Sequence, residues 1–135
     1  MKVVVDTNVF VSGLLVPGGM SSQVIRQFRD GLWDLVVSGA IIEEYGEVLG
    51  RPHFKLKREH IAQFLREVEL RALKVIPSKR YLAVPGDPDD NEFVDVAMEA
   101  KADCIISGDK HLLSLKKFHE ISILSPAEFI EKGPY

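Results

Sequence analysis

Asp6, Glu44, Asp90 and Asp109 are carboxylates placed where the pattern of this chain calls for a buried side chain or the carboxyl end of a strand. At an effective dielectric of ~20, two like charges ~4 Å apart repel by roughly 4 kcal/mol. Carboxylates that converge therefore take up protons or bind a cation. Magnesium or manganese suits an all-oxygen donor set, and magnesium usually keeps several waters and reaches the protein through few carboxylates. That leaves room for a phosphate oxygen.

Asp6 follows Val3, Val4 and Val5, at the carboxyl end of a first strand, the edge at which open α/β sheets bind ligands. Thr7 and Asn8 follow it, short polar side chains suited to hold a carboxylate or a water. In the helical segment Ala40 to Gly50, Ile41, Tyr45, Val48 and Leu49 form the apolar stripe. Glu44 falls on that stripe, whereas Glu43 and Glu47 point to solvent. Asp87 and Pro88 make a helix start, as N-cap and first helical residue. From Asp90, offsets of three, four and seven reach Phe93, Val94 and Ala97, so Asp90 heads the buried face and Asp89 its edge. Asp109 follows the apolar run Cys104 to Ile106 through Ser107 and Gly108. Each acid has a structural alternative: a turn or cap for Asp6, an ion pair for Glu44, a helix-dipole role for Asp90, an N-cap for Asp109. Whether Asp87 or Asp89 assists Asp90 stays open.

The elements that must gather these acids alternate in period. Strand-like runs fall at Lys2–Val5, Trp33–Val37, Leu73–Ile76, Asp103–Ile106 and Ile121–Leu124. Helical periods fall at Ser21–Asp30, Ala40–Gly50, Arg58–Ala72, Asp89–Lys101, Lys110–Leu115 and Pro126–Glu131. Such alternation predicts an α/β layer fold with a mainly parallel sheet. The length, 135 residues with 46% apolar, suits a single domain over residues 1–135. Pro17, Gly18 and Gly19 break the chain after the first strand, and Pro77 to Pro88 is the longest stretch without a period.

A formal charge of −3 argues against bulk coating of nucleic acid without excluding a nuclease. Basic residues are dense at Arg51, His53, Lys55, Lys57, Arg58 and His60. Nothing in the sequence reads as a signal peptide or reaches the ~20 apolar residues that span a bilayer, so a soluble, cytoplasmic protein is expected. The single cysteine, Cys104, reads as a buried structural thiol.

The order of these pieces resembles the PIN domain: a strand into Asp6-Thr7-Asn8, then Ser38 with Glu44 and Val48-Leu49, then Asp90 ahead of Ala97, then Ile105-Ile106-Ser107-Gly108-Asp109. The resemblance runs to Ser125, Pro126 and Phe129. More narrowly, Ser12, the stretch Glu47-Val48-Leu49-Gly50-Arg51-Pro52, the run Asp87 to Asn91 and Ser107-Gly108-Asp109 are similar to the toxin PIN branch, relatives of the VapC-like ribonucleases. The resemblance implies a three-layer α/β/α sandwich with parallel strands ordered 3-2-1-4-5. It also implies a magnesium- or manganese-dependent ribonuclease whose acids are Asp6, Glu44, Asp90 and Asp109. Asn8, Thr7 and Ser107 would support them; Ser107 stands where relatives often carry threonine, and keeps the hydroxyl.

Arg51, Lys55, Lys57 and Arg58 are candidates to hold an RNA backbone, with affinity that falls as salt rises. An antitoxin protein is the expected partner. Relatives are commonly dimers, and the amphipathic segments around Phe54 to Phe64 offer a candidate self-complementary face. The alternatives are an RNA-processing PIN nuclease that is not a toxin and a PIN-like module that binds RNA or a partner without cutting. The second predicts erosion of the acidic set, yet all four positions are filled. A phosphohydrolase working through an aspartyl-phosphate needs a second aspartate at the position of Asn8. A calcium loop at Asp87 fails because Glu92 stands where glycine is required and Met98 where the closing glutamate belongs.

Overall fold

A run of valines with no polar alternation fits a sheet only where both faces are covered. In the computed structural model, which describes residues 1–81, 83 and 88–132 and the side chains of all of these but 88–90, that run forms the central strand β1 (Lys2–Val5). Its neighbours are β2 (Asp34–Val37) and β4 (Cys104–Ile106). Outside them lie β3 (Leu73–Lys74) and the pair β5 (Lys117–Phe118) and β6 (Ile121–Leu124). The order is β3-β2-β1-β4-β6-β5, parallel throughout except for the β5–β6 hairpin. The parallel strands thus take the expected order, and the hairpin adds an antiparallel edge that the sequence reading lacked.

The connections explain the layers. After β1, α1 (Thr7–Leu15) and α2 (Met20–Arg29) lead to β2; α3 (Gly39–Leu49), a single 3-10 turn (Pro52–Phe54) and α4 (Arg58–Arg71) lead to β3. The chain then reverses. Helix α5 (Pro88–Ala100) crosses back to β4, lying against β1, β2 and β4 on the way. Helices α6 (Lys110–Leu115) and α7 (Pro126–Lys132) complete the chain, α7 packing on α2. Because parallel crossovers are right-handed, reversing the direction of travel puts α5 on the opposite face from α1 to α4. Every residue of Val3–Val5, Leu35–Val37 and Cys104–Ile106 is buried, as helices on both faces require.

An aromatic cluster fixes the α1 side of the sheet. The Phe10 ring sits edge-on to Tyr45 at 5.1 Å and to Phe64 at 4.8 Å, with Phe28 at 6.4 Å. Phe64, on the segment considered for self-association, is fully buried in this cluster. Helix α1 was not foreseen: Thr7, Val9, Phe10, Val11 and Gly13 are all buried, and only Asn8 and Ser12 give it an exposed polar face. Gly13 permits its close crossing with α2, since a Cβ there would stand 2.7 Å from the backbone oxygen of Ser21. The expected strand Leu73–Ile76 is shorter: β3 stops at Lys74, and Ile76, just before Pro77, is 89% exposed. Helix α5 begins at Pro88 as expected, whereas the N-cap assigned to Asp87 lies outside the described residues. Among the described residues no helix is long and apolar enough to cross a membrane.

Candidate metal centre

Strand order reverses between β1 and β4, and the crevice outside the carboxyl ends of two such strands is where α/β sheets bind ligands. Asp6 leaves β1 at this point, and Ser107, Gly108 and Asp109 leave β4. The register sets Val5 opposite Ile106, and the amide of Asp6 extends the ladder by donating to the Ile106 carbonyl at 2.9 Å.

Asp6 precedes α1 in the N-cap position, yet its side chain makes no capping bond. Its carboxylate, in a residue 4% exposed, accepts from the buried Ser107 hydroxyl at 2.7 Å instead. Ser107 Oγ in turn accepts from the Asp109 amide at 3.0 Å, so one hydroxyl ties both strand-end acids together. Asp109 caps α6, its Oδ1 accepting from the His111 amide at 2.7 Å.

Glu44 arrives from α3. Glu43 and Glu47 on the same helix are exposed, while Glu44 is half-buried and accepts from the Thr7 hydroxyl, next to Asp6. Between the two acids stands Tyr45, wholly buried, whose hydroxyl donates to the Val5 carbonyl at 2.6 Å. Burial, then the charge of Asp6, then that of Glu44, holds the Tyr45 phenol well above the ordinary tyrosine range. The Thr7 hydroxyl on Glu44 brings that acid to the residue next to Asp6, and the Tyr45 hydroxyl is bound to the residue before Asp6. Tyr45 was readable as part of the α3 stripe, but its hydroxyl, which needs a buried partner, was the overlooked signal.

Asp90 lies in the first turn of α5, and Phe93, Val94 and Ala97 are buried as the stripe predicts. The side chains of Asp89 and Asp90 lie outside the described residues. Asn91, beside them, is buried. Asn8 is exposed in the first turn of α1, and Arg51, Lys55, Lys57 and Arg58 are exposed around the 3-10 turn, with Arg51 paired to Glu47 at 3.0 Å.

A second set of acids went unrecognised because it reads as a solvated helix face. Glu92 accepts from Ser38, the residue that caps α3, at 3.0 Å and pairs with Arg80 at 2.8 Å. Asp95, 2% exposed, accepts from the Tyr81 amide at 2.7 Å, and Glu99 accepts from the Ser78 amide at 2.8 Å. These three carboxylates fasten residues 78–81 along α5, and Glu92 joins the helix of Asp90 to the helix of Glu44.

Asp6, Glu44 and Asp109 are thus drawn to one end of the sheet through Thr7 and Ser107. Among the described residues no group of three or more acidic, histidine or cysteine side chains is close enough to hold a metal ion. The donor chemistry fits a hard divalent cation, since the groups that join Asp6, Glu44 and Asp109 offer carboxylate and hydroxyl oxygens, with the His111 imidazole 3.7 Å from Asp109 Oδ1. Cys104 is buried in β4, its thiol pushed up to about 12, by burial first and by the charge of Asp103 second.

Removing the Tyr45 hydroxyl tests this packing. Tyr45→Phe orphans the Val5 carbonyl and is expected to cost about 1–2 kcal/mol near neutral pH. A phenol whose folded pKa exceeds the unfolded value of ~10 contributes stability that is complete below pH ~10 and is lost as pH rises through the folded value. Urea unfolding at pH 8 and pH 11 should therefore show the gap between wild type and Tyr45→Phe shrinking at the higher pH; a constant gap refutes the account.

The PIN domain family model matches residues 2–111. The uncharacterized protein MJ1680 of Methanocaldococcus jannaschii is 33% identical over 150 aligned positions, covering 98% of this chain and 91% of that protein.

Proposed function

The chain belongs to the PIN domain family, whose members are typically nucleases, and on that premise we propose that it is a magnesium- or manganese-dependent endoribonuclease, the toxin of a toxin–antitoxin pair. The observation that carries this reading is the hydrogen-bonded chain at the strand ends, with Asp6 tied through Ser107 to Asp109 and Glu44 held by Thr7 beside Asp6.

Asp6, Glu44, Asp90 and Asp109 would hold the cation. When bound, a divalent ion neutralises the charge that develops on the attacked phosphoryl group and on the leaving oxygen. Asp6 and Asp109 are the central ligands, because strand ends place them most rigidly. Glu44 and Asp90 complete the set and orient the attacking water. Ser107 and Thr7 fix the rotamers of Asp6 and Glu44 by donating hydrogen bonds, and Asn8 faces the substrate side.

Water as nucleophile leaves a 5′-phosphate and a free 3′-hydroxyl. Single-stranded RNA is the substrate, since an acidic site at a sheet edge must reach an accessible phosphodiester. Arg51, Lys55, Lys57 and Arg58 hold its backbone, and an antitoxin protein covers the same crevice to silence it.

The test is cleavage of an end-labelled single-stranded RNA by the purified chain. Products with 5′-phosphates are expected in magnesium or manganese, none with a chelator, and full recovery on adding manganese back. Cleavage that survives chelation sinks the metal mechanism, and intact RNA under all conditions leaves a non-catalytic binding module as the reading.

A further inference from the structure

Glu44 and Asp90 come to the same end of the sheet from opposite faces, Glu44 on α3 and Asp90 on α5. Strand pairing fixes where each helix starts, but not how far either is turned about its own axis. A hydrogen-bonded bridge joins the two. Ser38, buried at the carboxyl end of β2, caps α3: its Oγ accepts from the Ile41 amide at 3.2 Å. The same hydroxyl donates its proton to Glu92 Oε1 on α5 at 3.0 Å. Ser107, at the carboxyl end of β4, is used in the same way, donating to Asp6 and accepting from the Asp109 amide. The two serines flank β1, and each joins a carboxylate of one segment to an amide of another.

The other oxygen of Glu92 is engaged as well. Its Oε2 pairs with Arg80 at 2.8 Å, and Arg80 also reaches the buried Asp95 at 3.4 Å. Glu92 is therefore oriented by two donors, and its bond from Ser38 is strengthened by the charge of the acceptor. Position 92 stands about 200° around the helix from position 90, at 3.6 residues per turn. Glu99 offers a comparison within the same helix: about two turns further along α5, it holds the same segment 78–81 through the amide and hydroxyl of Ser78.

We infer that Glu92 is a positioning residue for the proposed hydrolysis: through Ser38 it sets the rotation of α5 against α3, and with it the spacing of Asp90 and Glu44 as ligands of one cation. The inference rests on the ribonuclease reading. Glu92 acts by fixing the helix and not as a further ligand, since both of its oxygens are bound and its position faces away from that of Asp90. Precision of this kind governs rate, because a misplacement of about 1 Å costs on the order of a hundredfold.

The test compares Glu92→Ala, Glu92→Gln and Glu99→Ala by three readouts: melting temperature in chelator, manganese affinity by titration without RNA, and kcat and KM on single-stranded RNA well below the lowest melting temperature. Glu92→Ala should weaken manganese binding and lower kcat, each on the order of tenfold, with KM for RNA within about twofold. Glu92→Gln keeps an oxygen for Ser38 while losing the charge on Arg80, and should return both quantities to within about threefold of wild type. In a double variant Ser38→Ala, Glu92→Ala, kcat should fall no further than in Ser38→Ala alone, because both changes break one bond. Glu99→Ala should melt a few degrees lower with manganese affinity and kcat unchanged. A purely structural role predicts that Glu92→Ala behaves like Glu99→Ala, and that outcome overturns the inference, as does a Glu92→Gln no better than Glu92→Ala. Should Glu92→Ala fail to fold, Glu92→Met, which keeps the bulk of the side chain, takes its place in the comparison. Wild type that binds manganese and cleaves RNA alongside an equally competent Glu92→Ala removes the positioning role alone; wild type that neither binds manganese nor cleaves removes the ribonuclease reading with it.

Discussion

Asp6→Asn is expected to lower RNA cleavage by on the order of a hundred- to a thousandfold, in kcat more than in KM, while leaving the fold intact. The amide matches the carboxylate in shape and can still accept from Ser107 Oγ, which donates at 2.7 Å in the native protein. What it loses is the charge that a divalent ion needs, and losses of this size are typical when one electrostatic element of a transition-state site is removed. Asp6 is buried and a second carboxylate, Glu44, is held by the adjacent Thr7, so its neutralisation also relieves repulsion in the metal-free state. The variant should consequently melt no lower than wild type in chelator. Saturating manganese should raise the melting temperature of wild type, a ligand at a hundred times its Kd contributing about 2.7 kcal/mol, and should raise that of Asp6→Asn far less. Turnover within tenfold of wild type would remove Asp6 from the chemistry, and an equal manganese shift in both proteins would remove it from the cation's ligands.

Phe10→Ala should be the most damaging core substitution, costing about 3–5 kcal/mol and lowering the melting temperature by roughly 10–20 °C. Phe10 is fully buried and meets the rings of Tyr45, Phe64 and Phe28, which come from α3, α4 and α2. No neighbour can fill the void without abandoning the others. The same ring also fixes the rotation of α1, whose first turn carries Thr7, the donor to Glu44. Cleavage per folded molecule should therefore fall together with stability. Calorimetry and a cleavage assay well below the new melting temperature check the two parts, and a loss under 1 kcal/mol would show that the cluster is not the anchor described.

How far the sequence spoke depended on whether a partner lay nearby in the chain. Strands β1, β2, β4 and β6 were legible because uninterrupted apolar runs are what two-sided burial demands, and Glu44 was distinguishable from Glu43 and Glu47 by helical phase alone. Helix α1 was hidden by the opposite circumstance: with only Asn8 and Ser12 as an exposed polar face and rich in β-branched residues, it shows a faint period and takes its form from tertiary packing. The roles of Glu92, Asp95 and Glu99 were not legible because what grips them, Ser38 and residues 78–81, comes from outside the helix and, for the latter, from a stretch without any pattern. The β5–β6 hairpin escaped because two-residue strands leave no alternation, and only the backbone at His119 reveals it.

The pairing of β1 with β4 has a consequence in time. Val3 meets Cys104, and the hydroxyl that holds Asp6 belongs to a residue 101 positions downstream. A ribosome adding about 5–20 residues per second needs several seconds to deliver that distance, during which the first aspartate hangs from an unfinished sheet. The hydrogen bond that fixes the Asp6 carboxylate therefore forms only after residue 107 has left the ribosome.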